Sequence, residues 1–304
     1  MKRSRKPEWS CTFYDSAALR GIVEAVQAIV QRVVFKIARP EGSDRFMLMF
    51  DGADPGMSCW VSARLNIDQV EFAGEPDEFT FCVCCKQLMV SIDNSTCSHG
   101  LLTLEGHSDG TVLVIAQDPD QRASLDLSRI NTFVETKEED ELKDMKLDLT
   151  LEMDVGKLKE LIKKARKSHA ETLRVEVYLK KEGNLEVSKV IFSVDGDAYH
   201  AQSFCHEVTR GDDGSISVRA AVEGGGHEWD ELDVAPTLKA SYPIGMIDAF
   251  VKILPVRILK AQAQTGMPLV MTHELNGGIL NACGTACNTR SHIRFVVAPL
   301  NDED

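Results

Sequence analysis

The sequence has none of the compact motifs that mark common enzyme classes. It contains no GxxxxGK[ST] phosphate loop, no GxGxxG following a strand, no HExxH helix and no GxSxG elbow. His206-Glu207 and His273-Glu274 each lack the second histidine of a zinc-protease helix, and Gly224-Gly225-Gly226 sits in a polar stretch that reads as a plain loop. A catalytic role is therefore not expected. Long apolar runs are missing too: nothing approaches the roughly 20 residues that cross a bilayer. The opening Met1-Lys2-Arg3-Ser4-Arg5-Lys6-Pro7 leads into no hydrophobic signal segment. A soluble, intracellular chain with no membrane partner is expected, and the sequon Asn94-Ser95-Thr96 would then go unused. The basic leader reads either as a nuclear-import address or as a disordered tail.

Positive charge is in short supply. Lys and Arg number 34 against 47 Asp and Glu, a formal net charge of -13, which excludes a protein that coats nucleic acid with its whole surface. Any DNA contact must be local. Paired CxxC elements are also lacking. The nine cysteines include Cys82, Cys84 and Cys85, followed by Cys97 and His99, and Cys283 near Cys287, without the loop-spanning pairs of a structural zinc site. In a chain without a secretory signal they are expected as reduced thiols, with no metal and no cofactor.

What is present is core-forming material. At 304 residues and 43% hydrophobic content the chain can bury two ordinary domains. Leu19, Ile22, Val23, Val26, Ile29 and Val30 recur at helical spacing, with Asp15 or Ser16 placed to cap them. Short β-like runs follow over 33–37, 45–50, 59–67 and 78–83, then a helix over 84–93, then strands over 101–105, 111–116 and 123–127. Residues 128–146 change character: Glu135, Glu138, Glu139, Asp140, Glu141 and Asp144 make a charged, core-poor connector. Beyond it the same order returns. Strands are expected over 147–153, 173–179, 185–194, 198–205, 215–222, 232–240, 257–264, 269–274 and 292–298, with helices over 155–168 and 244–254. The reading is α+β: two similar halves, each a set of antiparallel strands with two short helices packed on one face.

The helix over 155–168 concentrates the scarce positive charge. Leu158, Leu161, Ile162 and Ala165 form its apolar stripe, while Lys157, Lys159, Lys163, Lys164, Arg166 and Lys167 crowd the remainder, with Glu160 the one acid. Such a stripe on an acidic background suits a phosphate track, because neutralising phosphates releases counterions whatever the base sequence. No Asn, Gln or Arg pattern for reading bases accompanies it, so binding would be independent of sequence.

The C-terminal segments Ala249-Phe250-Val251-Lys252-Ile253-Leu254-Pro255-Val256, Met267-Pro268-Leu269-Val270 and His292-Ile293-Arg294-Phe295-Val296-Val297-Ala298-Pro299, and the acidic end Asn301-Asp302-Glu303-Asp304, resemble the proliferating cell nuclear antigen (PCNA) family of DNA sliding clamps. So does Leu19-Arg20-Gly21-Ile22-Val23-Glu24-Ala25-Val26 in the first helix. The resemblance implies a clamp fold with antiparallel sheets outside and short helices lining the inside of a ring. It divides the chain into a basic flexible leader (1–10), an N-terminal clamp domain (11–127), an interdomain connector (128–146), a C-terminal clamp domain (147–300) and an acidic tail (301–304).

It further implies a homotrimer that encircles double-stranded DNA without reading its sequence, serves a DNA polymerase as a processivity factor, recruits replication and repair proteins through short peptide motifs, and is placed on DNA by a clamp loader. The compartment would be the nucleus, or a viral replication compartment. By position, Arg20, Lys163, Lys167 and Lys252 would face DNA, with Lys86, Lys159 and Lys164 as neighbours, while Gln27 replaces a usual basic residue. The peptide pocket would draw on Phe50, Met57, Ile130, Phe133, Pro268, Val296, Ala298 and Pro299. Two departures reshape that pocket: Phe50-Asp51-Gly52-Ala53-Asp54-Pro55 stands where Met-Asp-Ser-Ser-His is usual, and Val296 stands where an aromatic is usual. Ring closure would pair 123–127 of one subunit with 198–204 of the next. Alternatives are a subunit of the heterotrimeric DNA-damage checkpoint clamp, a viral processivity factor that does not form a trimer, or a nucleic-acid enzyme with a metal at the cysteines and Asp195-Gly196-Asp197.

Overall fold

The computed structural model describes residues 6–14, 16–40, 43–56, 58–74, 78–95, 101–108, 110–116, 122–126, 149–182, 185–212, 215–220, 235–253, 258–263, 267–274 and 291–300. The expected connector and acidic tail lie outside these residues. The chain divides into two compact units, the first made of 1–54, 61–136 and 274–293, the second of 55–60, 137–273 and 294–304. Two short segments, 55–60 and 274–293, thus belong to the opposite unit from the one that a single cut at the connector would give them.

In the first unit, β1 (Trp9–Phe13) lies between β5 (Gln69–Phe72) and β7 (Leu102–Gly106), and the sheet continues through β8 (Thr111–Ala116) to β9 (Arg122–Asp126). All its pairings are antiparallel. A second set of strands runs in the order β4 (Cys59–Asn66), β3 (Met47–Ala53), β2 (Arg32–Ala38), β6 (Glu78–Cys84). Alternation decides which face is buried: Val33, Phe35 and Ile37 of β2 point inward while Arg32, Val34 and Lys36 do not. The rings of Trp9, Phe81, Phe35 and Phe50 form a continuous series, with centroids 4.7, 5.5 and 6.2 Å apart. Gly106 is needed beside this cluster, since a Cβ there would collide with the Trp9 indole. Two helices, α1 (Ser16–Gln27) and α2 (Cys85–Ser95), pack against each other, α2 also touching β6, β8 and β9.

The strand β1 corrects the sequence reading. Trp9 is only 1% exposed and pairs with Phe72 and Gly106, so the chain is built into the sheet from inside the stretch expected to be a flexible leader. Burying an indole outweighs the basic neighbourhood that made the segment read as a tail. The strand β5 was also not expected.

In the second unit the order is β15 (Leu238–Pro243), β11 (Thr172–Glu182), β12 (Leu185–Val194), β13 (His200–Arg210), β14 (Ile216–Ala220), β10 (Leu149–Asp154), β16 (Ile258–Ala263), β17 (Leu269–Glu274), β18 (His292–Val297). One pairing departs from the expected antiparallel pattern: β10 runs parallel to β14, with Leu149 opposite Ile216. The long excursion through three strands and a helix supplies the crossover that a parallel pair requires. The helices α3 (Val155–Lys167) and α4 (Ile244–Ile253) pack on each other, α3 against β10, β12 and β13 and α4 against β15. Strand β15 begins later than the sequence pattern indicates and ends at Pro243, directly before α4, where the missing N–H costs nothing to the helix.

Candidate nucleic-acid interface

The basic helix α3 is set by its own ends. Asp154, extended at φ -74 and ψ 114, caps the N-terminus by accepting a 3.0 Å hydrogen bond from the Lys157 N–H. Lys164, Arg166 and Lys167 occupy the last turn, where cations oppose the negative end of the helix dipole. At the C-terminus His169 takes a left-handed φ of 53 and the chain folds back, the Ala170 N–H donating to the Ala165 carbonyl at 2.9 Å. The turn between β12 and β13 then locks onto this end. The Asp197 N–H donates to the Ser168 carbonyl at 2.7 Å, and the backbones approach so closely that a Cβ on Gly196 would collide with that carbonyl.

Val155, Leu158, Leu161, Ile162 and Ala165 are buried, which leaves Lys157, Lys159, Glu160, Lys163, Lys164, Arg166 and Lys167 exposed. These charges differ in their engagement. Arg166 reaches across to α4 and binds the Asp248 carboxylate, which also accepts from Lys252 Nζ at 2.9 Å. Asp248 is 6% exposed and so holds two cations at the α3–α4 contact. Among the described residues, the ammonium groups of Lys163, Lys164 and Lys167 make no hydrogen bond or ion pair.

The other expected DNA-facing residues lie in the first unit. Arg20 on α1 donates to Asp93 on α2 at 2.8 Å and lies 3.3 Å from Glu24 one turn on. The Asp93 hydrogen bond is the main reason its pKa is raised above the usual guanidinium value. Lys86 is exposed on α2, and Gln27 is exposed at the end of α1.

The residues expected to form a peptide pocket are distributed as follows. Phe50 is 4% exposed, with its ring against Phe35 and beside Gly52, where a Cβ would press on it. Val296 is buried in β18, while Pro268, Ala298 and Pro299 are half-buried. In the second unit Leu300 bridges to Ser241, and the neighbouring Tyr242 hydroxyl donates to the Met267 carbonyl at 3.4 Å, which brings the segments around 267–268 and 298–300 to one end of β15. Met57, Ile130 and Phe133 lie outside the described residues.

Two strand edges bear on self-association. β9 is the terminal strand of its sheet. β13 is paired with β12 along His200–Glu207, yet β14 covers only His206–Arg210 on its other side. Its first half therefore has backbone groups with no described strand of this chain opposite them.

Of the residues named for the alternative metal reading, Cys82, Cys84, Cys85, Asp195 and Asp197 lie among the described residues. Burial pushes the Cys85 thiol up to about 12 and raises Cys82, which keeps both protonated near neutral pH. Among the described residues no group of three His, Cys, Asp or Glu is arranged to hold a metal. Asp195 lies 3.5 Å from Arg174, and Asp197 belongs to the turn that locks α3. Cys97, His99, Cys283 and Cys287 lie outside the described residues.

No protein-family model matches this sequence, and none of the curated proteins matches it. Similarity appears at the level of structure. The crystal structure of proliferating cellular nuclear antigen from Entamoeba histolytica matches with a TM-score of 0.66, over 97% of this chain and 100% of that chain, at 13% sequence identity. The chain has a PCNA-like clamp fold. At 13% identity the likeness shows the fold and not the role of any one side chain. The engagement of individual surface charges is thus the informative feature of this chain.

Proposed function

We propose that this protein is a DNA sliding clamp: a homotrimer that encircles duplex DNA in the nucleus, tethers a DNA polymerase and other replication and repair proteins through short peptide motifs, is placed on DNA by a clamp loader, and has no chemistry of its own. The observation that carries this reading is α3, a capped and pinned helix of a PCNA-like fold with three lysines that make no ion pair among the described residues, in a chain of net charge -13. Lysines aimed at phosphate attract DNA without fixing a register, which is the requirement for sliding. The two strand edges at β9 and the first half of β13 support closure by subunit-to-subunit pairing, since unpaired N–H and C=O groups template a further strand.

Light scattering at micromolar concentration, combined with primer extension on a long single-stranded template, tests the proposal. A mass of three chains together with longer extension products is expected. A monomer that leaves product length unchanged would overturn it.

A further inference from the structure

Among the described residues each unit carries one pair of packed helices, and the two pairs differ in charge. α1 and α2 hold two basic side chains, Arg20 and Lys86, and two acidic ones, Glu24 and Asp93, which makes that pair neutral. α3 and α4 hold seven basic and two acidic side chains, a surplus of five. Geometry reinforces the count. Arg20 is engaged by Asp93 at 2.8 Å and by Glu24 at 3.3 Å, so a phosphate would have to displace two carboxylates to reach it. Lys163, Lys164 and Lys167 meet no such competition among the described residues. Val90, 51% exposed on α2, adds an apolar side chain to the surface of that pair.

Resting on the clamp reading above, we propose that duplex DNA is gripped through one helix pair per chain. The α3–α4 pair makes the phosphate contacts through Lys163, Lys164 and Lys167, and the α1–α2 pair contributes little, because Asp93 and Glu24 engage Arg20 and leave the pair, with the lone exposed Lys86, at no net charge. The acidic partners act as a built-in limit on grip. With phosphate attraction confined to half of the helices, an encircling protein of this charge would hold DNA loosely enough to slide.

The test is binding of the full-length protein to a short fluorescent duplex over a salt series. Lys163→Ala/Lys164→Ala/Lys167→Ala should reduce the slope of log K against log salt by about one for each lysine that no longer meets a phosphate, and weaken binding more than about tenfold. Arg20→Ala/Lys86→Ala should leave slope and affinity within about twofold of the parent. Glu24→Gln/Asp93→Asn, a gain that misfolding cannot mimic, frees Arg20 and should steepen the slope by about one. Equal losses in the two alanine variants, or no gain in the glutamine–asparagine variant, would overturn the confinement. If the parent itself binds no duplex at low salt, the clamp reading fails first and this inference falls with it.

Discussion

At the scale of the residue, Asp248 shows how a buried acid organises exposed bases. Its carboxylate serves Arg166 and Lys252 at once. Both cations are more than half exposed and would rehydrate if released, so most of the cost of Asp248→Asn comes from lost charge-assisted bonding. A destabilisation of about 1 kcal/mol is expected by urea unfolding; a change below the error of the measurement would show that the pair is not coupled to packing. Tyr242 makes a second case. Burial pushes its phenol up to about 12, from an ordinary value of 10.0. The unfolded chain ionises first as pH rises, so the contribution of Tyr242 is fully present below pH 10 and is lost between there and about 12. Urea melts in that window should show stability falling with pH less steeply for Tyr242→Phe than for the parent; identical slopes would contradict the assignment.

The same scale marks where sequence reading stops. The apolar stripe Leu158, Leu161, Ile162 and Ala165 was legible because helical periodicity is a local property. The neutralisation of Arg20 by Asp93 was not, because the two lie 73 positions apart and meet only when α1 packs on α2. Phe50 was expected at a binding pocket; the fold puts its ring against Phe35, a contact that depends on the antiparallel register of β2 and β3.

At the scale of the element, strands with strict alternation emerged within a residue or two of their expected bounds, as at β2, β8 and β12. The misses have a common cause. β1 and β5 are short, their sequences mix polar and apolar residues, and they pair with each other while β1 also pairs with β7, partners that no local window contains. Gly106→Ala tests the importance of β1. The added Cβ collides with the Trp9 indole, so the substitution should cost about 1–3 kcal/mol, seen as a lower unfolding midpoint, whereas a surface glycine would cost far less. The end of α3 gives a parallel case: Gly196→Ala pushes the β12–β13 turn away from the Ser168 carbonyl. Hydrogen exchange at the last turn of α3 should accelerate in that variant while α1 is unaffected, and unchanged protection would mean that the turn does not secure the helix.

At the scale of the whole molecule, charge is the organising fact. A chain of net charge -13 repels DNA on average, and the fold places three exposed lysines, Lys163, Lys164 and Lys167, that make no ion pair among the described residues, together on a single helix. The α+β class and the two-part organisation were readable because they follow from periodicity and from the charged break at 128–146. The division actually found sends 55–60 and 274–293 to the opposite units, which only the folded arrangement defines. The proposed ring would be a property of several chains, of which a single chain displays only strand edges. Encirclement is therefore tested most directly by topology. The protein is incubated with a linear duplex, both ends are then blocked, and the sample is washed at high salt; a matched duplex is left open. Retention on the blocked duplex with loss from the open one is the expected result, and equal loss from both would contradict a ring around DNA.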